Sequence, residues 1–64
     1  MEDFKFALGD TVYIAELDLI GVVDMQVRHI NHILPMYQVR YYNDTNERFL
    51  DYFVEYELQH FSKD

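Results

Sequence analysis

Three histidines and several paired carboxylates are the side chains of this 64-residue sequence with the most evident chemistry. His29-x-x-His32 has the spacing of half a metal site, with His60 as a third nitrogen that folding could bring to it. A zinc centre needs three or four N, S or O ligands converging from rigid elements. The pair falls on an expected connection between strands and the chain has no cysteine. Solvated or capping histidines are therefore expected, with no metal and no cofactor. Asp51 with Glu55, and Glu55 with Glu57, are candidate acid–base pairs. Such a pair works only where a pocket raises one pKa by burial, and a 64-residue chain has room for one small core and little cavity. No serine stands beside a useful base, no glycine-rich loop cradles a phosphate, and no thiol offers a nucleophile. The expected class is a binding protein and not an enzyme.

What remains is recognition. In the C-terminal third, Asp44, Glu47, Asp51, Glu55 and Glu57 are interleaved with Phe49, Tyr52, Phe53 and Tyr56. Aromatic anchors dominate binding energy at protein interfaces, while charges set association rate and register. The stretch thus suits a positively charged protein partner, with Tyr42, Asp44, Glu47, Asp51, Tyr52 and Glu55 as the expected contacts. The same residues also read as a core strand with solvated acids between its apolar positions. Twelve Asp and Glu against five Lys and Arg give a net charge of −7. That charge repels a phosphate backbone, so direct nucleic-acid binding is disfavoured. It suits a basic protein partner, mimicry of nucleic acid, or solubility alone.

One domain, residues 1–64, must position these groups. A chain this short buries only about 60% of the surface its unfolded form exposes. Half of its residues are apolar, with six Tyr and five Phe, and each aromatic ring buries on the order of 150–250 Å². Without cysteine there is no disulfide staple, which fits a reducing compartment. The opening residues lack the pattern of a secretory leader, and no window approaches the ~18 apolar residues of a membrane span. A soluble cytoplasmic chain is expected. Asn43-Asp44-Thr45 matches a glycosylation acceptor, but its turn-forming residues are the better reading.

Alternation of apolar and polar residues marks strands over most of the chain. Phe4, Phe6 and Leu8 alternate before a Gly9-Asp10 turn, and Val12 and Ile14 alternate after it. Val23, Met25 and Val27 oppose Asp24, Gln26 and Arg28, with Gly21 suggesting a bend or bulge near the start of that strand. A connection from Arg28 to Pro35 follows. Tyr37, Val39 and Tyr41 then face away from Gln38, Arg40 and Tyr42. Asn43 to Asn46 supplies four turn formers for a hairpin tip. Arg48 to Phe61 reads two ways. As a helix, a polar stripe of Arg48, Asp51, Glu55, Gln59 and Ser62 lies opposite Leu50, Val54, Leu58 and Phe61. Its density of Tyr and Phe favours strand.

Phe6-x-Leu8-Gly9-Asp10-x-Val12, Gly21-x-Val23, Tyr37-x-Val39-x-Tyr41 and Tyr52-Phe53-x-Glu55-x-Glu57-Leu58 together resemble the pattern of small SH3-like barrels of the Tudor and KOW type. They also resemble short uncharacterised barrel proteins of bacteria and phages. The resemblance implies an all-β, five-stranded SH3-like small barrel with a short helical turn near the C-terminus. It decides residues 48–58 in favour of strand. This barrel hosts many unrelated binding roles. KOW-type nucleic-acid binders display basic loops, whereas these loops carry Glu16, Asp18, Asp44 and Glu47. A Tudor-type reader of methylated cations implies an aromatic cage, for which Tyr13, Tyr42, Phe53 and Asp51 are the available residues. The expected function is a non-catalytic interaction module for a basic partner, with a nucleic-acid mimic or a Tudor-like reader as alternatives. Open strand edges add a possible homo-oligomer.

Overall fold

Most stretches of alternating apolar and polar residues between Thr11 and His60 form extended strands, because a period of two puts one set of side chains on one sheet face; Ala15–Asp18 alternates as well but forms a turn. The computed structural model describes residues 4–28 and 34–61. Its strands are β1 (Thr11–Ile14), β2 (Leu19–Val27), β3 (Met36–Tyr42), β4 (Arg48–Val54) and β5 (Leu58–His60), with a 3-10 turn at Glu55–Glu57. All pair antiparallel in one sheet of order β4-β3-β2-β1-β5. The protein is therefore all-β. The last strand returns beside the first, while β2, β3 and β4 run outward as a meander.

Cross-strand register sorts the residues into two faces. Val12, Ile14, Val23, Tyr37, Val39, Tyr41, Phe53 and Leu58 lie on the inner face and are buried. Thr11, Val22, Arg40 and Leu50 form a matching row on the outer face. The expected inward set of Tyr37, Val39 and Tyr41 is thus observed. Residues 48–60 are strand, 3-10 turn and strand, so the helical reading of that segment does not hold. Paired against β3, Phe53 goes to the core and Tyr52 to the opposite face, a division that a helix could not give.

Three expectations change. Phe4 to Leu8 is not a strand: Phe6 is fully buried, but Leu8 is 62% exposed. The segment instead lays one ring into the core, with Phe6 packed edge-on against Tyr37 at 5.2 Å between ring centroids and against the His60 ring at 4.6 Å. Backbone hydrogen bonds pin it there, the Phe6 N–H donating to the Tyr37 hydroxyl and its carbonyl accepting from Gln26 Nε2. Gly21 sits in regular pairing, and the bulge comes later, between Val23 and Met25. A Cβ on Gly21 would stand 2.5 Å from Val39 Cγ1 and 2.9 Å from the Arg40 carbonyl oxygen, so close strand approach is what requires glycine there. Finally, the sheet is open. Among the described residues β4 and β5 are its edges and do not pair with each other, so the strands form one open sheet and the expected closure into a barrel is not shown.

Candidate functional site

Two turns stand at the same end of the sheet. Ala15–Asp18 joins β1 to β2, and Asn43–Glu47 joins β3 to β4. The first is closed by the Leu17 and Asp18 N–H groups, which donate to the Ile14 carbonyl at 3.1 and 2.8 Å. Asp18 adopts a left-handed φ of 57°, a region that Asp and Asn tolerate better than most residues. Its Oδ1 accepts from the Tyr13 hydroxyl at 2.6 Å, and this bond to a carboxylate raises the Tyr13 pKa. The second turn is organised by Asn43, whose Oδ1 accepts from the Thr45 and Glu47 N–H groups at 3.0 and 2.9 Å. Such side-chain to backbone bonds are why Asn favours turns. Asn43 Nδ2 also donates to Glu47 Oε1 at 2.9 Å, fixing that carboxylate beside the tip.

Between the turns lies a shallow pocket of 270 Å³, lined by Leu17, Asp18, Leu19, Asn43 and Asp44. Two acidic residues line it, one of them Asp18 with its Oδ1 bonded to Tyr13, and no Lys or Arg does so among the described residues. Leu17 is exposed and Leu19 is partly buried, packed against the core, so two leucines stand beside two acidic residues in the lining. That combination suits a long cationic side chain, whose methylene stem lies on apolar surface while its head reaches acceptors.

The six expected contact residues are distributed over both faces. Asp44 lines the pocket, and Glu47 is in the same hairpin. Tyr42 and Tyr52 are 50% and 55% exposed on the outer face. Asp51 and Glu55 are engaged with the core. Asp51 Oδ2 accepts from the Tyr41 hydroxyl at 2.5 Å. Glu55 Oε2 accepts from the Tyr37 hydroxyl at 2.6 Å and from the Lys5 N–H at 3.0 Å. Both tyrosines respond. The bond to Asp51 pushes the Tyr41 pKa up to about 12, and burial, followed by the bond to Glu55, raises that of Tyr37.

The cage candidates do not converge. Phe53 is buried on the inner face, Tyr42 stands on the outer face, and Tyr13 is tied to Asp18. Of the histidines, His60 packs against Phe6, while His29 and His32 lie outside the described residues. Among the described residues no group of three or more His, Cys, Asp or Glu is placed to hold a metal ion. No helix among them is long and apolar enough to cross a membrane. In comparisons with family models, curated proteins and solved structures, the chain matches none.

Leu17, Asp18, Leu19 and Asn43 were not among the residues singled out as contacts from sequence. The available signal is Glu16-Leu17-Asp18, an apolar residue between two acids in a turn. Nothing local shows that this turn faces the Asn43 hairpin. The pairing of Gly21 with Tyr41, which aligns the start of β2 with the end of β3, brings them together.

Proposed function

We propose that this chain is a non-catalytic, cytoplasmic protein-interaction module that takes a basic segment of a partner protein at the loop end of its sheet. The observation that carries the reading is the pocket between the two turns, lined by the acidic Asp18 and Asp44 together with Leu17 and Leu19. A Lys or Arg side chain matches it in length, charge and amphipathic character. The net charge of −7 extends the attraction beyond the pocket and speeds encounter with a cationic partner. Glu16 and Glu47, in the same two turns, add to that field, and exposed Tyr42 lies next to the hairpin as an aromatic contact.

An SH3-like domain is the fold reading that accompanies this function. It is supported by the strand order, with β5 returning beside β1, and by the 3-10 turn between β4 and β5. No observation favours the two alternatives as well. A nucleic-acid mimic calls for carboxylates in rows along one face, whereas the outer face carries Arg40 and Arg48. A methyl-cation reader calls for rings that converge.

The test is calorimetric titration with a Lys- and Arg-rich peptide at low and high salt. Exposed charge pairs contribute about 0.2–1 kcal/mol each, so Asp18→Asn with Asp44→Asn weakens binding roughly two- to thirtyfold at low salt. The difference shrinks as salt screens the charges. Asp24→Asn weakens binding less than either pocket substitution, because that carboxylate pairs with Arg40 at 3.9 Å and does not line the pocket. Equal affinity of the double variant and the unmodified protein at low salt refutes the assignment.

A further inference from the structure

β4 is an edge strand seven residues long, and its sequence, Arg48-Phe49-Leu50-Asp51-Tyr52-Phe53-Val54, is mostly apolar. Edges of this kind are templates for pairing unless blunted by proline, bulges or short length. β4 has no proline and its pairing with β3 contains no register shift. The hydrogen-bond phase of that ladder is set at both ends. At the hairpin the Asn43 N–H donates to the Glu47 carbonyl, and at the far end the Glu55 N–H donates to the Pro35 carbonyl. Antiparallel pairs alternate between bonded and non-bonded, so Phe49, Asp51 and Phe53 direct their backbone groups to β3. Arg48, Leu50, Tyr52 and Val54 direct theirs outward. The Val54 N–H is already taken, donating to Glu57 Oε1 at 2.8 Å. Among the described residues no strand covers Arg48, Leu50 and Tyr52.

We infer that β4 pairs antiparallel with β4 of a second copy of this chain, about a twofold axis at Leu50. This register joins Leu50 to its own copy and Arg48 to Tyr52 of the other copy, so both backbone groups of all three residues are bonded. It sets an arginine beside a tyrosine ring twice, a favourable cation–π pairing. Leu50, 46% exposed in the single chain, is covered by its symmetry mate on the axis. The neighbouring register, centred on Asp51, puts two carboxylates directly opposite, which is destabilising in a cross-strand pair. It also calls on Val54. Centring on Leu50 instead places Asp51 opposite Phe49 and leaves the two carboxylates on a diagonal about 7–8 Å apart.

Pairing by a single strand on a twofold axis closes on itself, so the product is a dimer and not a filament. The other edge, β5, has three residues and is too short to propagate the sheet. This inference is independent of the loop pocket, and salt separates the two. Two chains of charge −7 repel, so added salt strengthens self-association, whereas it weakens capture of a basic peptide.

Sedimentation from micromolar to millimolar chain concentration, at low and high salt, measures the dimer. Amide hydrogen exchange locates it. The expected result is a monomer–dimer equilibrium that tightens with salt, with Arg48, Leu50 and Tyr52 amides gaining protection on concentration while Phe49, Asp51 and Phe53 are unchanged. Leu50→Lys sets two lysines opposite each other on the axis and raises the dissociation constant at least about tenfold. Because the side chain is exposed, the fold is retained, and because the net charge becomes less negative, a nonspecific effect would act in the opposite direction. Leu50→Pro removes only the outward N–H and gives the same loss. A chain that stays monomeric at millimolar concentration in high salt overturns the inference, as does a dimer whose three amides remain unprotected. Protection gained only when an extended peptide is added assigns the edge to a foreign strand and overturns it as well.

Discussion

Tyrosine hydroxyls hold three carboxylates of this acidic chain: Tyr13 with Asp18, Tyr37 with Glu55, and Tyr41 with Asp51. Each bond favours the neutral phenol, because ionisation would set two negative charges together. All three tyrosine pKa values are raised, that of Tyr41 to about 12. The unfolded chain ionises its tyrosines near the ordinary value of about 10. The folded protein therefore binds more protons between these limits. The stability this contributes is fully present below pH ~10 and is lost as pH rises toward 12. Denaturant unfolding at a series of alkaline pH values is expected to show that decline. Tyrosinate absorbance of Asp51→Asn should show Tyr41 moving back toward its ordinary range, and an unchanged titration would contradict the assignment. Sequence showed acids among aromatics in this region and led to Asp51 and Glu55 as partner contacts. Their engagement with Tyr41 and Tyr37 was not legible, because it depends on which tyrosines register puts opposite them.

Strand existence was legible from alternation for β1, β2 and β3, and the Asn-rich hairpin tip from turn chemistry. β4 was ambiguous for a physical reason. As an edge strand it has only one neighbour, and its sequence is apolar on both faces, so neither period dominates. Gly21 illustrates a different limit. Glycine in a strand signals either a bulge or a close approach, and only the distance to Val39 and Arg40 decides. Gly21→Ala should destabilise the domain by about 1–3 kcal/mol, the usual range for forcing atoms into a packed site. The backbone carbonyl at 2.9 Å cannot yield as a flexible side chain can. Chemical denaturation with an unchanged midpoint would show that the strands separate at no cost.

For the molecule as a whole, the core rests on a ring from outside the sheet. Phe6 contacts β3 through Tyr37 and β5 through His60, joining parts of the sheet that are not hydrogen-bonded to each other. A domain of this length has a total stability on the order of 3–10 kcal/mol. Phe6→Ala removes about 3–5 kcal/mol, a large share of that total, so a markedly lowered melting temperature by circular dichroism and faster amide exchange are expected. A variant that stays folded with unchanged melting would show that the sheet is held without its plug. Composition, turn positions and strand alternation depend on neighbours in the chain, and the sequence by itself determined them: an acidic, cysteine-free, all-β domain with acids in its loops. Which carboxylates are free, which turns face each other, and which edge is left unpaired were decided by the tertiary structure. Each follows from register between strands distant in sequence, and a shift of one residue would send every side chain of a strand to the opposite face.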